Sequence, residues 1–532
     1  MASPKKTFYV TTPIYYVNDV PHIGHAYCTV GADAMARFKR MDGYEVWFLT
    51  GTDEHGQKIE KTAKEQGITP KELADRVVVR FQEAWKKLGI SNDDFIRTTE
   101  DRHKKLAREF FKRVQEGGFI YKGEYEGWYC LPDEKFLLDS EVIDAKCPDC
   151  GRSVERIKEY NYFFAMSKFQ QKLENHLAEN PDFVQPESRK NELVNNFIKP
   201  GLADVSITRN SVKWGIPAPV PEETVLYVWF DALLNYITAL GWPDGEMYRK
   251  FWKGEGTELH ETVNLIGKDI LRFHATIWPT MLMAAGEPLP QRVFGTGYIN
   301  KDGKKMSKSL GNVVDPFDLV EKFGPDALRY YLLREIPFGL DGNYTDAAFE
   351  LRFNGDLAND LGNLVHRSLT MLEKYFDGVV PASGPAGQLE NELKSIALSY
   401  APKARKAMVT FDFPTTLASA WELVKRANKY IEESSPWKVA KEGDAGKEKL
   451  ATILYSLMES LRVTSISIAP FMPFTASAIW SKLGYSDDIH KHSLSETEEW
   501  GKIPVGQKID KGQPLFPRIE KTKNNLSTDE HG

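Results

Sequence analysis

The first apolar run, Phe8-Tyr-Val-Thr-Thr-Pro13, is rich in β-branched and aromatic residues and reads as a strand ended by its proline. A loop of Asn18, Asp19 and Pro21 follows. Apolar residues then return at Val30, Ala34 and Phe38, the spacing of a helix that opens at Gly24-His25. Glu45-Val-Trp-Phe-Leu-Thr50 is a second buried strand, followed by Gly51-Thr-Asp-Glu-His-Gly56 and another helical stretch. Strand, helix, strand, helix at this spacing predicts a βαβ unit, and with it a doubly wound parallel sheet.

From about Gly118 to Val225 the texture changes. Aromatics cluster at Tyr121, Tyr125, Trp128 and Tyr129, prolines recur from 181 to 221, and a Cys-x-x-Cys appears. This predicts a module inserted into the sheet domain. The α/β pattern resumes with expected strands at Val225–Phe230, Thr262–Ile266 and Arg292–Phe294. Beyond about Tyr344 the periodicity is helical. The domains expected are therefore residues 1–117, the first half of a Rossmann-type α/β domain; 118–225, a connective knuckle module; and 226–295, the second half. Residues 296–345 form a lysine-rich loop region, 346–520 an all-α bundle, and 521–532 a polar tail expected to be disordered.

Composition narrows the class. Of 532 residues, 42% are hydrophobic and 27% charged, which suits a large soluble enzyme rather than a fibre or a disordered chain. No run approaches the roughly 18 apolar residues of a membrane helix, and the N-terminus lacks the apolar stretch of a secretory signal, so a cytoplasmic location is expected. Four cysteines do not make a disulfide scaffold. The net charge of −6 argues against a protein that coats DNA. Any nucleic-acid partner must be met by a local patch.

Two motifs carry chemistry. His22-Ile-Gly-His25 lies between the first strand and the first helix, where free N–H groups and the helix dipole favour a phosphate. Gly24 would let a ligand approach the backbone, and two imidazoles at i and i+3 can both act as donors. Lys304-Lys-Met-Ser-Lys-Ser309, set between Asp302-Gly303 and Gly311-Asn312, suits a mobile clamp for a polyphosphate. Either motif alone is weak; both at strand ends of one sheet, in this order, are specific.

On these residues the chain resembles the class I aminoacyl-tRNA synthetases, with His22–His25 matching their HIGH signature and Lys305–Ser309 their KMSKS signature. The resemblance is closest to the methionyl-tRNA synthetase family, through Pro13–Asn18, Gly51–His55, Tyr227–Tyr236 and Gly267–His274, and runs from about Phe8 to Lys521. It implies activation of methionine with ATP and Mg²⁺, then transfer to the terminal adenosine of initiator and elongator methionine tRNA. It implies catalytic roles for His22, His25, Lys305 and Lys308, and ATP contacts from these with Gly24, Gly267, Asp269, Met306 and Ser307. Asp53 would take the methionine ammonium. Ile14, Tyr16, Trp229, Ala232, Leu233, Tyr236, Ile270 and His274 would line the side-chain pocket. Read without the family, Trp229 and Tyr236 are plain core and Asp53 a helix N-cap.

Cys147-Pro-Asp-Cys150-Gly151 is half of a zinc knuckle. The family's other half would be a second Cys-x-x-Cys, and here it reads Cys130-Leu-Pro-Asp133. Either Asp133 supplies an oxygen ligand beside three sulfurs, or the zinc site has decayed. Cys28, on the helix after His25, reads as a small buried side chain.

In the helical region, Leu361 and Leu372 mark an apolar stripe, while Asn363 and Arg367 fall on the opposite face at about 100° per residue. The family reading makes that face an anticodon platform, with Trp437 stacking on a base and Arg367, Lys425, Arg426 and Lys429 meeting phosphates. The plainer reading is a solvated surface, with Trp437 anchoring a helix. Synthetases for leucine, isoleucine or valine would need an editing insertion for which this chain has no room. Cysteine activation would need a zinc at the sheet. A non-catalytic tRNA-binding paralogue is the reading from another class. No appended oligomerisation domain is visible, so a monomer is expected, with methionine, ATP and tRNA as partners and neither membrane nor DNA.

Overall fold

The computed structural model describes residues 6–18, 20–131, 135–137, 139, 142, 144–148, 150–306 and 311–517. Asp19, Asp133, Ser307, Lys308, Ser309 and the tail from 521 lie outside them. The chain divides into two compact units. One comprises Met1–Asn300, Lys305–Pro325 and Pro337–Gly342; the other Lys301–Lys304, Asp326–Ile336 and Asn343–Gly532.

The first unit is built on a six-stranded sheet. Its strands are β1 (Lys6–Tyr16), β2 (Glu45–Asp53), β3 (Asp94–Arg97), β4 (Val184–Gln185), β5 (Leu259–Gly267) and β6 (Arg292–Thr296). Their order across the sheet is β3-β2-β1-β5-β6-β4, every pair parallel. Helix α1 (Ile23–Met41) follows β1.

Two predicted strands are corrected. β1 does not end at Pro13. The register with β2 shifts between Thr11 and Ile14, and pairing resumes at Ile14, Tyr15 and Tyr16. Proline cannot donate to a ladder, and the irregularity absorbs the missing N–H. This carries Ile14 and Tyr16 to the carboxyl end of the sheet. The run Val225–Phe230 is a strand only over Val225–Leu226; Val228–Leu233 is helical, hereafter α3, with all six residues buried. A short, wholly apolar run does not distinguish a buried strand from a buried helix.

Within 118–225, a separate antiparallel sheet joins Lys135–Leu137, Ile120–Cys130, Glu155–Phe164 and Val205–Ser206, while Val184–Gln185 edges the main sheet. Helix α2 (Asp101–Glu116) and a wide π-turn at Phe273–Ile277 complete the surroundings of the site.

The second unit is helical. Its longest helices are Phe413–Ser434 and Lys447–Ile468, and in the latter every residue from Leu450 to Ile468 is buried, the mark of a helix at the centre of a bundle. Among the described residues no helix is long and apolar enough to cross a membrane.

Candidate active site

His22 is the N-cap of α1, and its ring accepts the Gly24 N–H at Nδ1, 3.1 Å away. His25, three residues on, accepts the His22 N–H at its own Nδ1, at 3.2 Å. The two rings stack with centroids 3.7 Å apart. Burial first, and then the neighbouring His22, hold the His25 imidazole well below the usual histidine range. A neutral ring that accepts at Nδ1 carries its hydrogen on Nε2.

The expectation of free backbone donors here is corrected. Gly24 N–H is taken by His22, and Ile23 N–H by the Val314 carbonyl at 3.1 Å. The helix end is capped internally, and these two amides are already engaged. Gly24 is required by the same fold-back, since a Cβ there would lie 2.9 Å from His22 Cε1.

Gly267 ends β5, and a Cβ on it would lie 2.5 Å from an Asp269 carboxylate oxygen. Asp269 is exposed at the rim, where the protein packed around it raises its pKa while Lys305 and Lys268 pull the other way. Lys268 is held by Asp341 at 2.6 Å. Lys305 is exposed, with its ammonium 5.2 Å from the Tyr298 ring centre, and Met306 is half-buried.

An aromatic cluster lies in the core of the same unit. Trp229 stacks on Phe273 at 3.9 Å, with its indole edge-on to His274. Tyr236 donates its hydroxyl to His274 Nε2 at 2.7 Å, so His274 Nδ1 carries the hydrogen and donates to the Ile270 carbonyl at 3.0 Å. Burial lowers the His274 pKa to about 4. Ala232 and Leu233 are buried on α3, and Ile14, Tyr16 and Ile270 are half-buried against the same core. Asp53 ends β2, buried, opposite Tyr16 in the ladder, and its charge contributes to raising the Tyr236 pKa, which burial dominates. The N-cap of the helix that follows is Gly56, which removes the capping role for Asp53.

One cluster went unread in the sequence. His55 Nδ1 donates to one oxygen of Asp231 and His103 Nε2 to the other, both at 2.7 Å, and His103 Nδ1 meets Thr238 Oγ1 at 2.8 Å. Burial pushes the Asp231 carboxyl up, but His55 and His103 outweigh it and hold it below the usual carboxylate range. His103 stands 48 residues from His55 in sequence, and no spacing rule joins them to Asp231.

Family models for class I tRNA synthetases (M) match residues 8–160 and 152–369, and one for the anticodon-binding domain of tRNA ligase matches 395–527. The chain is 50% identical over 525 residues to the methionine–tRNA ligase of Caldanaerobacter subterraneus, covering 98% of this chain and 80% of that one. It is 51% identical over 518 residues to that of Clostridium tetani, covering 97% and 79%. The chain belongs to the methionyl-tRNA synthetases.

Mycobacterium tuberculosis methionyl-tRNA synthetase in complex with methionyl-adenylate superposes on this synthetase with a TM-score of 0.91 at 41% identity, covering 96% of this chain and all of that one. The free-state structure of the same protein gives 0.85 at 38%.

In the knuckle of this synthetase, the Sγ atoms of Cys130, Cys147 and Cys150 lie within 4.8 Å of one another, with Cys130 and Cys150 at 3.5 Å. Sulfurs bound to one tetrahedral zinc at about 2.3 Å stand roughly 3.8 Å apart, so the three thiols suit such an ion. Asp133 lies outside the described residues. Cys28 is buried and its thiol is pushed up to about 12 by burial, as an inert packing residue requires.

In the helical unit, α4 (Asn363–Phe376) buries Leu364, Val365, Leu369 and Leu372, leaving Asn363 exposed and Arg367 half-buried. Arg367 pairs with Glu432 at 2.6 Å, Arg426 with Glu392 and Glu433, and Lys429 with Glu433. Three of the cations expected to meet phosphates therefore already hold carboxylates, with Lys425 exposed beside them. Trp437 is half-buried on the short helix Pro436–Val439, which follows Ser435 at a left-handed φ of 43°.

Proposed function

We propose that this chain forms methionyl-adenylate from methionine and ATP, and then passes the methionyl group to the terminal adenosine of initiator and elongator methionine tRNA. The observation that carries this reading is the pair of stacked imidazoles at the mouth of α1, with both Nδ1 atoms engaged. In the first step a methionine carboxylate oxygen bonds to the α-phosphorus of ATP as the bond to the bridging oxygen breaks, and pyrophosphate leaves. No protein nucleophile takes part; positioning and stabilisation of developing charge do the work. Nε2–H of His22 and of His25 donates to phosphate oxygens. Lys305 and Lys308 hold the departing pyrophosphate with the magnesium that accompanies ATP, and Gly267 and Asp269 face the nucleotide. Each such preorganised donor typically contributes roughly 3–4 kcal/mol.

Asp53 binds the methionine ammonium. Trp229, Tyr236, His274 and their apolar neighbours enclose the thioether, to which aromatic rings are worth about 0.3–1.5 kcal/mol per contact. In the second step a ribose hydroxyl of the terminal adenosine attacks the carbonyl carbon and AMP leaves. Asn363, Arg367 and Trp437 read the anticodon. A zinc bound by Cys130, Cys147 and Cys150 would supply structural cross-linking of the knuckle and no chemistry of the reaction. Charging of methionine tRNA transcripts with labelled methionine tests the reading; no charging above background would overturn it.

A further inference from the structure

Asp53, Glu54 and His55 are consecutive and all buried, at 2%, 0% and 4% exposure. β2 ends at Asp53, so no ladder fixes the direction of the next two residues. Side chains do so instead. Glu54 is gripped by Arg97 and Thr52, each at 2.7 Å, and its carbonyl receives the Trp214 indole N–H. His55 is gripped by Asp231. Asp231 sits on α3 two residues after Trp229, and its second oxygen is pinned by His103 from α2.

We propose that Asp231 is a positioning residue which, by clamping His55, sets the Asp53 carboxylate on the α-ammonium of the amino-acid substrate and holds it in register with the Trp229 wall. This rests on the proposed methionine-activating role. One carboxylate joins the segment that carries the charged end of the pocket to the helix that carries its apolar end. A carboxylate accepting one N–H at each oxygen has its plane and reach defined, and neither histidine can turn without stranding a buried charge. The separation between ammonium and thioether subsites is thereby fixed before substrate arrives. Misplacement of a binding group by about 1 Å can cost on the order of a hundredfold in rate.

The test replaces His55. In His55→Leu the donor is lost, whereas in His55→Asn the side-chain amide N–H stands close to the position of Nδ1 and can still donate to Asp231. Pyrophosphate exchange should show the KM for methionine of His55→Leu raised on the order of tenfold, with the KM for ATP and kcat within about twofold, and His55→Asn should restore most of the loss. Should His55→Leu fail to fold, the isosteric Asp231→Asn, which accepts at one end only and forces the histidine at its other end to change tautomer, should show the same split. A rise in both KM values together, tracking a fall in melting temperature, would overturn the proposal. So would failure of His55→Asn to rescue, or an unchanged KM for methionine in His55→Leu. Asp53→Asn is measured alongside. If it leaves the KM for methionine unchanged, or the wild type shows no methionine-dependent exchange, the underlying reading falls and this inference with it.

Discussion

Tyr236 and His274 are joined by a 2.7 Å hydrogen bond in which the phenol donates to Nε2, the only tautomer that also lets Nδ1 donate to the Ile270 carbonyl. The buried aromatic cluster thus contains a polar pair satisfied from within. Tyr236→Phe leaves the Nε2 lone pair buried and unmatched, a loss of about 1–3 kcal/mol in stability. The melting temperature should fall, and the KM for methionine should rise, while the KM for ATP stays put. Equal rises in both constants would argue against a role confined to the amino-acid pocket.

The same burial predicts an acid sensitivity. His274 has a folded pKa of about 4, below its ordinary value near 6.5, so between those limits the unfolded chain binds a proton that the folded chain does not. Its contribution to stability is complete above about pH 6.5 and is lost as pH falls toward 4, by roughly 1.4 kcal/mol per unit. Comparing melting temperatures of wild type and His274→Asn at pH 7.5 and 5 tests this. The variant should lose less on acidification; parallel losses would refute the assignment.

Much of this was legible in the chain. The parallel sheet followed from Phe8–Pro13 and Glu45–Thr50 with a helix between them, and the polar face of α4 from the spacing of Leu361 and Leu372. What was not legible depended on tertiary context. Pro13 stopped the strand on paper because its missing N–H looks fatal locally, but a register shift accommodates it. The Val228–Leu233 helix looked like strand because every face is buried, which erases amphipathic periodicity. His22 looked like a bare ligand donor, and its use as its own helix cap required coordinates. The His55–Asp231–His103 chain is assembled from the loop after β2 and two separate helices, and leaves no mark on any one of them.

Three thiols within 4.8 Å predict metal in the purified protein. Elemental analysis of protein never exposed to chelator should give close to one zinc per chain, and Cys147→Ser should reduce it and destabilise the knuckle. A zinc content near zero in the wild type would mean that the cluster is a remnant.

The helical unit should be separable from adenylate formation. Trp437→Ala should leave exchange nearly unchanged and weaken tRNA charging by roughly 1–3 kcal/mol, the scale of one lost base–aromatic stack. Lys308→Ala should do the opposite, crippling adenylate formation while tRNA affinity persists. If Trp437→Ala instead lowers the melting temperature sharply and its charging defect vanishes at low temperature, the tryptophan is a packing residue.

The central claim is that two imidazoles tethered at Nδ1 present Nε2–H donors to the reacting phosphates of a methionine-activating site. Methionine-dependent ATP–pyrophosphate exchange, measured on the wild type and on His22→Asn, tests it most directly. Asparagine keeps an acceptor at the N-cap of α1 and lacks the second ring nitrogen. The account predicts exchange stimulated by methionine and not by leucine or isoleucine, with kcat in His22→Asn about 10²–10³-fold lower at an unchanged melting temperature. Exchange stimulated by leucine or isoleucine but not by methionine, or an undiminished kcat in folded His22→Asn, would contradict it.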